Sequence, residues 1–225
     1  MTKFVLALTA LLSAAACNSS TEGAFGNVAF TPLECGRVLC TLDESVGVGG
    51  TINLRIAGLK GMTTVAATVS SEEVDLVSVF PVADQDQPTW EIEALGPGTA
   101  IINVHGVDSQ LMDFVELSIR EPAYLSAKNI LGDAVGPSDN PNYDEVWIVN
   151  ADQEVSFQMT AINSDDQPLM GKFSFDATLD IGLENGLLDT DLGRGYLHFN
   201  VPAGEYLATF KEVHGREIRM LIVSQ

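Results

Sequence analysis

The stretch Thr51-Ile52-Asn53-Leu54-Arg55-Ile56 alternates polar and apolar side chains, one residue at a time. In an extended strand, successive side chains point to opposite faces, so a period of two places Ile52, Leu54 and Ile56 on one face. The pattern therefore predicts a half-buried β-strand, with these three side chains in a core and their neighbours in water.

Similar short runs follow in the first half of the chain. They are Val74 to Val79, Trp90 to Leu95, Ala100 to His105 and Phe114 to Ile119. Turn-forming residues such as Gly96-Pro97-Gly98 separate the runs, and no stretch of a dozen residues shows an apolar stripe of helical period. Short strands at this spacing predict an antiparallel β-sandwich and argue against an α/β enzyme fold.

Three motifs stand in order in this half of the chain. Gly50-Thr51 enters a strand, Ser70-Ser71-Glu72 precedes a Val-rich run, and Pro97-Gly98-Thr99-Ala100 leads into a late strand. Together they resemble a bacterial immunoglobulin-like (Ig-like) domain of group 2 over about residues 41–121. The resemblance implies an Ig-like sandwich that serves as a spacer or adhesive module on bacterial surface proteins, and it carries no catalytic residues across.

The second half repeats the plan of the first. Val155, Phe157 and Met159 alternate in the same way as the opening stretch, at an offset of 103 residues. Leu221, near the C-terminus, corresponds to Leu117 at an offset of 104. A repeat of this length predicts a second sandwich of similar plan.

The predicted fold class is all-β, with two tandem immunoglobulin-like β-sandwich domains after a signal peptide and a flexible tether. The predicted parts are a signal peptide at residues 1–16, a tether at 17–30, one sandwich at 31–121 and a second at 122–225. The boundary is placed at Glu121-Pro122 because a proline ends the last strand of the first unit. We expect few contacts to cross it.

The N-terminus has the pattern of an export signal peptide. Lys3 precedes an apolar run that is too short to span a membrane, and Ala14-Ala15-Ala16-Cys17 follows. A Cys directly after small residues resembles the lipobox of bacterial lipoproteins, which implies lipidation of Cys17 and attachment at the outer membrane or cell surface. The alternative is plain secretion with Cys17 incidental.

Cys35 and Cys40 remain as a pair once Cys17 carries the lipid. Export to an oxidising compartment favours a disulfide between them. A metal site is the alternative, but it needs further ligands, and the three His residues lie far away in the sequence.

The charge of the chain limits its partners. Thirty-one acidic residues against 11 basic ones give a formal charge of −20. Nucleic-acid binding depends on clustered Lys and Arg, so this class of partner is excluded. The partners that we expect are the membrane, through the lipid anchor, and an unknown protein or glycan ligand.

Residues 132–145 have no apolar pattern and are predicted to form a long exposed loop in the second sandwich. Loops of this kind carry binding functions. The candidate binding residues in it are Asp139, Asn140, Tyr143, Asp144 and Glu145.

Catalytic motifs such as G-x-S-x-G, H-E-x-x-H and the Walker sequence are absent. The sequence therefore predicts a non-enzymatic binding, adhesive or structural module of the cell envelope, without a cofactor or metal. Two alternatives stay open: a hydrolase with its site in the 132–145 loop, and a Ca²⁺-dependent adhesive module that uses Asp-rich turns such as Asp165-Asp166. Trp90 and Trp147 are expected to lie in the cores.

Overall fold

The fold is all-β. A computed structural model describes residues 20–34, 40–63, 67–83, 87–180, 187–191, 196–200, 202–212 and 216–225, and these ranges contain strands and no helix. The strands are β1 (Thr21–Glu22), β2 (Val28–Glu34), β3 (Val46–Gly47), β4 (Thr51–Gly58), β5 (Thr68–Ser71), β6 (Val77–Pro81), β7 (Thr89–Ala94), β8 (Gly98–His105), β9 (Leu111–Arg120), β10 (Tyr124–Leu131), β11 (Ala134–Asn140), β12 (Tyr143–Val149), β13 (Val155–Ile162), β14 (Phe175–Asp180), β15 (Leu187–Asp191), β16 (Tyr196–Asn200), β17 (Gly204–Glu212) and β18 (Glu217–Ser224).

The strands form two sandwiches with the same topology. In the first unit, sheet β1-β2-β4-β7-β6 faces sheet β3-β9-β8-β5; in the second, β10-β13-β16-β15 faces β11-β12-β18-β17-β14. Apart from β1 and β11, the two strand orders correspond one to one. In each unit an early strand, β3 or β12, runs parallel to the last strand. This is the arrangement of an Ig-like sandwich, so the predicted fold class of two tandem Ig-like domains is confirmed.

The alternating stretch that predicts the fold lies in the core of the first unit. Ile52, Leu54 and Ile56 on β4 are each at most 1% exposed. Their counterparts on β13 are also buried, and Phe157 at the centre of that strand is fully enclosed. Period-two alternation therefore gives both the strand and its inward face in each half of the chain.

The offset between the last strands of the two units differs by one residue from the prediction. β9 buries Leu117 and Ile119, and β18 buries Met220 and Ile222, so the offset is 103 here as well. Leu221 is only half-buried and points to the other face. A shift of one residue exchanges the two faces of a strand, and the Leu117–Leu221 match was therefore wrong.

Two predicted elements differ in the structure. The strand expected from Val74 begins only at Val77, because the amides of Leu76 and Val77 both bond to the carbonyl of Glu73 in a turn that leaves Val74 69% exposed. The long loop expected at residues 132–145 is wrong as well, because most of this segment forms β11 and the start of β12.

The strand β11 lies at the edge of its sheet and, among the described strands, pairs with β12 alone. Its register shifts between Val135 and Ser138 and again between Ser138 and Asn140. Val135 is 72% exposed, so an outer strand of this kind lacks the apolar alternation that marks a buried one. This explains why the sequence pattern did not predict it.

The first sandwich begins earlier in the sequence than predicted, within the residues assigned to the tether. Thr21 and Glu22 pair with β2, and Val28 and Phe30 are fully buried in the core. Most of the predicted tether at 17–30 is therefore part of the first sandwich. Residues 17–19 lie outside the described ranges.

A buried carboxylate holds this N-terminal segment. Asp113 on β9 is 0% exposed and accepts N–H groups from Phe25, Asn27, Val28 and Phe114 at 2.8–2.9 Å. Burial by itself raises the pKa of Asp113, but the four backbone donors outweigh it and hold the pKa below its usual value of 3.8. The ionised carboxylate thus pins the entering chain to β9.

We expect Asp113→Asn to destabilise the protein. The folded-state pKa lies below the unfolded one, so the carboxylate stabilises the fold above about pH 4, and this stability is lost as the pH falls toward the folded-state value. At pH 7 the free energy of unfolding should fall by about 1–3 kcal/mol. Urea unfolding should show that the difference in unfolding free energy between wild type and Asp113→Asn becomes smaller below pH 4. Asp75→Asn, at an exposed position, is the control and should have little effect on this free energy. A difference independent of pH would contradict the assignment.

Candidate functional site

The predicted binding residues lie on the β11–β12 hairpin. Asp139 and Asn140 end β11, and Tyr143 and Asp144 begin β12. The guanidinium of Arg219 lies 5.7 Å from the centre of the Tyr143 ring, and the Arg219 amide donates to Asp144 Oδ2 at 2.7 Å. These contacts attach the hairpin to β18. Whether the hairpin binds a ligand stays a prediction.

Glu145 has a structural position. It is 7% exposed, and its carboxylate accepts hydrogen bonds from the amide of Ala127 at 3.0 Å, the hydroxyl of Ser126 at 3.1 Å and the indole of Trp147 at 2.8 Å. Three donors compensate the cost of burying the charge. The side chain connects β10 to β12, and its donors leave it little freedom to meet a ligand.

The contact between the two units was not predicted from the sequence. It is made by residues 163–173, which follow β13 and which we call the junction loop. The amide of Met170 donates to the Ser45 carbonyl at 2.8 Å, and Gly47 donates to the Met170 carbonyl at 2.9 Å. Thr51 and Lys172 exchange two further backbone hydrogen bonds at 2.8 and 3.0 Å. The junction loop therefore adds a short strand-like segment to the first unit.

Side chains of the junction loop enter both cores. Met170 is 0% exposed and belongs to the core of the first unit, whereas Leu169 and Phe173 belong to the core of the second. Neighbours in an extended segment point in opposite directions, so one segment serves two hydrophobic cores. The expectation that few contacts cross the boundary is wrong for this reason.

Glycines make this close approach possible. A Cβ on Gly47 would lie 2.6 Å from the ring of Phe173, and one on Gly50 would lie 3.0 Å from the same ring. Gly171 has a φ of 131° and faces Gly50, where a Cβ would be 2.9 Å from its Cα. The backbones of the two units meet with no room for side chains between them.

We expect Met170→Ala to destabilise the first unit, although Met170 lies in the second half of the sequence. A buried Met replaced by Ala leaves a cavity that costs about 2–5 kcal/mol. The chain has two Trp residues, Trp90 in the first core and Trp147 in the second. Trp147→Phe and Trp90→Phe backgrounds thus allow fluorescence to follow each unit during denaturant unfolding.

In this experiment Met170→Ala should lower the midpoint reported by Trp90. Met159→Ala is the matched control, because Met159 is 5% exposed in the core of the second unit. It should lower the midpoint reported by Trp147. A Met170→Ala protein whose Trp90 transition is unchanged would show that the cores are independent.

A cleft of about 290 Å³ lies where the units meet. Its lining comes from both units and consists of Asp43, Glu44, Ser45, Asn163, Gln167, Pro168 and Leu169. Asn163 organises the junction loop on this side, since its Oδ1 accepts the amides of Asp165 and Gln167, both at 2.9 Å. We call this space the junction cleft.

A smaller cleft of about 180 Å³ lies on the outer face of β8 and β9 in the first unit. Glu73 lines it and accepts the amide of Ile101 at 3.0 Å and the hydroxyl of Ser71 at 2.9 Å. These donors, the Ile101 amide first, hold the pKa of Glu73 below its usual value. Glu73, the residue after the Ser70-Ser71-Glu72 motif, thus accepts an amide of β8 just beyond the end of β5.

The other candidates from the sequence are dispersed. Trp90 and Trp147 are at most 8% exposed, which confirms that they lie in the cores. Cys40 is buried at 1%, whereas Cys35 and Cys17 lie outside the described ranges, so the disulfide and the lipidation stay predictions. In the part of the chain that the structure describes, no group of three or more His, Cys, Asp or Glu side chains is placed to hold a metal ion.

The described residues include no helix with the length and apolar character needed to cross a lipid bilayer. No protein family model matches the chain. No curated protein matches it either.

Solved structures do show similarity to the chain. Domains 4 and 5 of the S-layer protein SbsC are 14% identical with a TM-score of 0.31, over 80% of this chain and 93% of that one. The Yersinia pseudotuberculosis adhesin InvE is 13% identical with a TM-score of 0.33, over 90% and 61%. The Bacteroides ovatus protein SGBP-B, in complex with a mixed-linkage heptasaccharide, is 11% identical with a TM-score of 0.33, over 80% and 43%. At these TM-scores, the fold class rests on the strand order of the protein itself.

Proposed function

We propose that this protein is an exported, lipid-anchored module of the bacterial cell envelope whose two Ig-like sandwiches act together as a non-enzymatic spacer and binding body. The observation that carries the spacer role is the junction loop, which has Met170 in one core and Phe173 in the other. We include in this proposal the group 2 Ig-like assignment, which the three sequence motifs support, and the Cys35–Cys40 disulfide, which export favours.

A spacer must keep its far end at a defined distance and direction. Two domains joined by a flexible linker reorient freely, whereas domains that share buried side chains and backbone hydrogen bonds move as one body. Four backbone hydrogen bonds join Ser45, Gly47 and Thr51 to the junction loop. This supports a role in which the second sandwich presents its surface at a fixed orientation.

The proposed anchor lies close to the folded body. Thr21 begins β1 only four residues after Cys17, and this length of extended chain reaches roughly 14 Å. The negative charge of the protein opposes contact with anionic lipid, so attachment depends on acyl chains at Cys17. These features do not specify whether the ligand is a protein or a glycan.

Rigidity of the junction tests the spacer role. In the full chain, residual dipolar couplings from the two units should fit one common alignment tensor. Gly47→Ala should separate them into two tensors of different size, because the new methyl group would overlap the Phe173 ring, 2.6 Å from its Cβ position. Gly106→Ala is the matched control at the far end of the first unit, where the nearest neighbour is a flexible carboxylate at 3.2 Å. Two different tensors in the wild-type protein would refute the spacer role.

Lipidation is tested in cells. Radiolabelled palmitate should enter the wild-type protein and should be absent from Cys17→Ser, because the thiol of Cys17 is the proposed attachment atom. Cys35→Ser is the control and should keep the label. Label retained in Cys17→Ser, or no label in the wild type, would eliminate the anchor and leave a secreted protein.

A further inference from the structure

The junction cleft has features of a ligand site in addition to its place in the connection between the units. Asp43 and Ser45 come from the first unit, and Asn163 and Pro168 come from the junction loop. Its volume of about 290 Å³ is close to the lower limit of about 300 Å³ that is common for small-molecule sites. It therefore has room for a small ligand that touches both units.

Asn163 supplies the first specific observation. Its side chain is more than nine-tenths buried, with an exposure of 4%. The backbone amides of Asp165 and Gln167 donate to this side chain, so the accepting atom is Oδ1. Oδ1 therefore points toward the turn at residues 163–167. The amide nitrogen Nδ2 has no hydrogen-bond partner among the described residues. Asn163 lines the cleft, and because Oδ1 is bonded to the junction loop, Nδ2 is the polar atom of this side chain that remains for a ligand.

An unsatisfied buried N–H₂ group is unfavourable, and an acceptor on a ligand removes that cost. The same group excludes a cationic ligand at this point, because it presents hydrogens rather than oxygens. Exposed Asp43 and its neighbour Glu44 also line the cleft, and their carboxylates disfavour an anion. A neutral ligand that accepts a hydrogen bond from Asn163 and donates one to a carboxylate fits both groups.

Hydroxyl groups meet this requirement, since one oxygen both accepts and donates. Adjacent hydroxyls on a sugar ring can meet an amide nitrogen and a carboxylate at the same time. A peptide fits less well, because the N–H and C=O of one trans peptide unit point in opposite directions. The exposed ring of Pro168 offers an apolar surface for the C–H groups of a sugar.

We propose that the junction cleft binds a neutral saccharide, with Asn163 Nδ2 donating to one hydroxyl and the Asp43 carboxylate accepting from another. This site goes beyond the spacer role and does not require the lipid anchor. Its walls come from both sandwiches, so a bound sugar stabilises their docked arrangement.

The test uses the isotopically labelled full chain and two probes, cellobiose and N,N′-diacetylchitobiose. At least one probe should shift the Asn163 side-chain amide resonances and the Gln167 and Leu169 backbone amides in a saturable titration. Asn163→Asp keeps the Oδ1 acceptor for the junction loop and replaces the Nδ2 donor with oxygen. Its affinity should be weaker by about tenfold or more, the effect of one lost hydrogen bond next to a like charge. Asp43→Asn should weaken binding by a similar factor.

Asn150→Asp is the matched control, because Asn150 lies in the exposed turn before β13, away from the cleft. It should bind as the wild type does. Tetra-alanine serves as the peptide probe, and shifts with it alone would overturn the saccharide assignment.

No shift with either sugar, or equal affinity in wild type and Asn163→Asp, would also overturn the proposal. The dipolar couplings of the same samples report the common tensor independently, so failure of the sugar site is distinguishable from failure of the spacer role. Thermal unfolding shows that each variant is folded before its affinity is compared.

Discussion

The insertion of Met170 into the core of the first sandwich is the contact on which the relation between the two units depends. Met170 belongs to the second half of the sequence, but its apolar side chain is buried in the core of the first unit. The backbone around it bonds to Ser45, Gly47 and Thr51, so these backbone groups keep hydrogen-bond partners where the units meet. Apolar burial gives the attraction, and the hydrogen bonds fix the direction in which the second unit leaves the first.

The sequence predicts those features that depend on local periodicity. The alternation of Ile52, Leu54 and Ile56 is a property of six neighbouring residues, and it gave the strand, its buried face and, through the repeat, its counterpart around Phe157. The match of Leu117 with Leu221 failed by one residue. Corresponding strands of a repeat bury the same face. The two strands must therefore be matched by their buried positions and not by identical residues.

The features that the sequence did not predict depend on contacts between distant residues. Asp113 accepts hydrogen bonds from backbone amides that lie 85 to 88 positions earlier in the chain. Its neighbours in the sequence do not distinguish it from an exposed acidic residue. Met170 reaches residues more than 120 positions before it, and its own neighbours look like a loop. Asn163 was within reach, because Asn-Ser-Asp-Asp-Gln is a strong turn signal. The turn alone gives no sign that Asn163 lines a cleft between two units.

The edge strand β11 has a consequence for the behaviour of the protein at high concentration. An open strand edge offers unpaired backbone groups to any neighbouring copy, and continuous pairing between edges leads to fibres. Here Pro137 contributes no N–H, and the two register shifts around Ser138 interrupt a regular ladder. Two copies that meet at this edge would thus find no regular ladder to extend, which opposes edge-to-edge association.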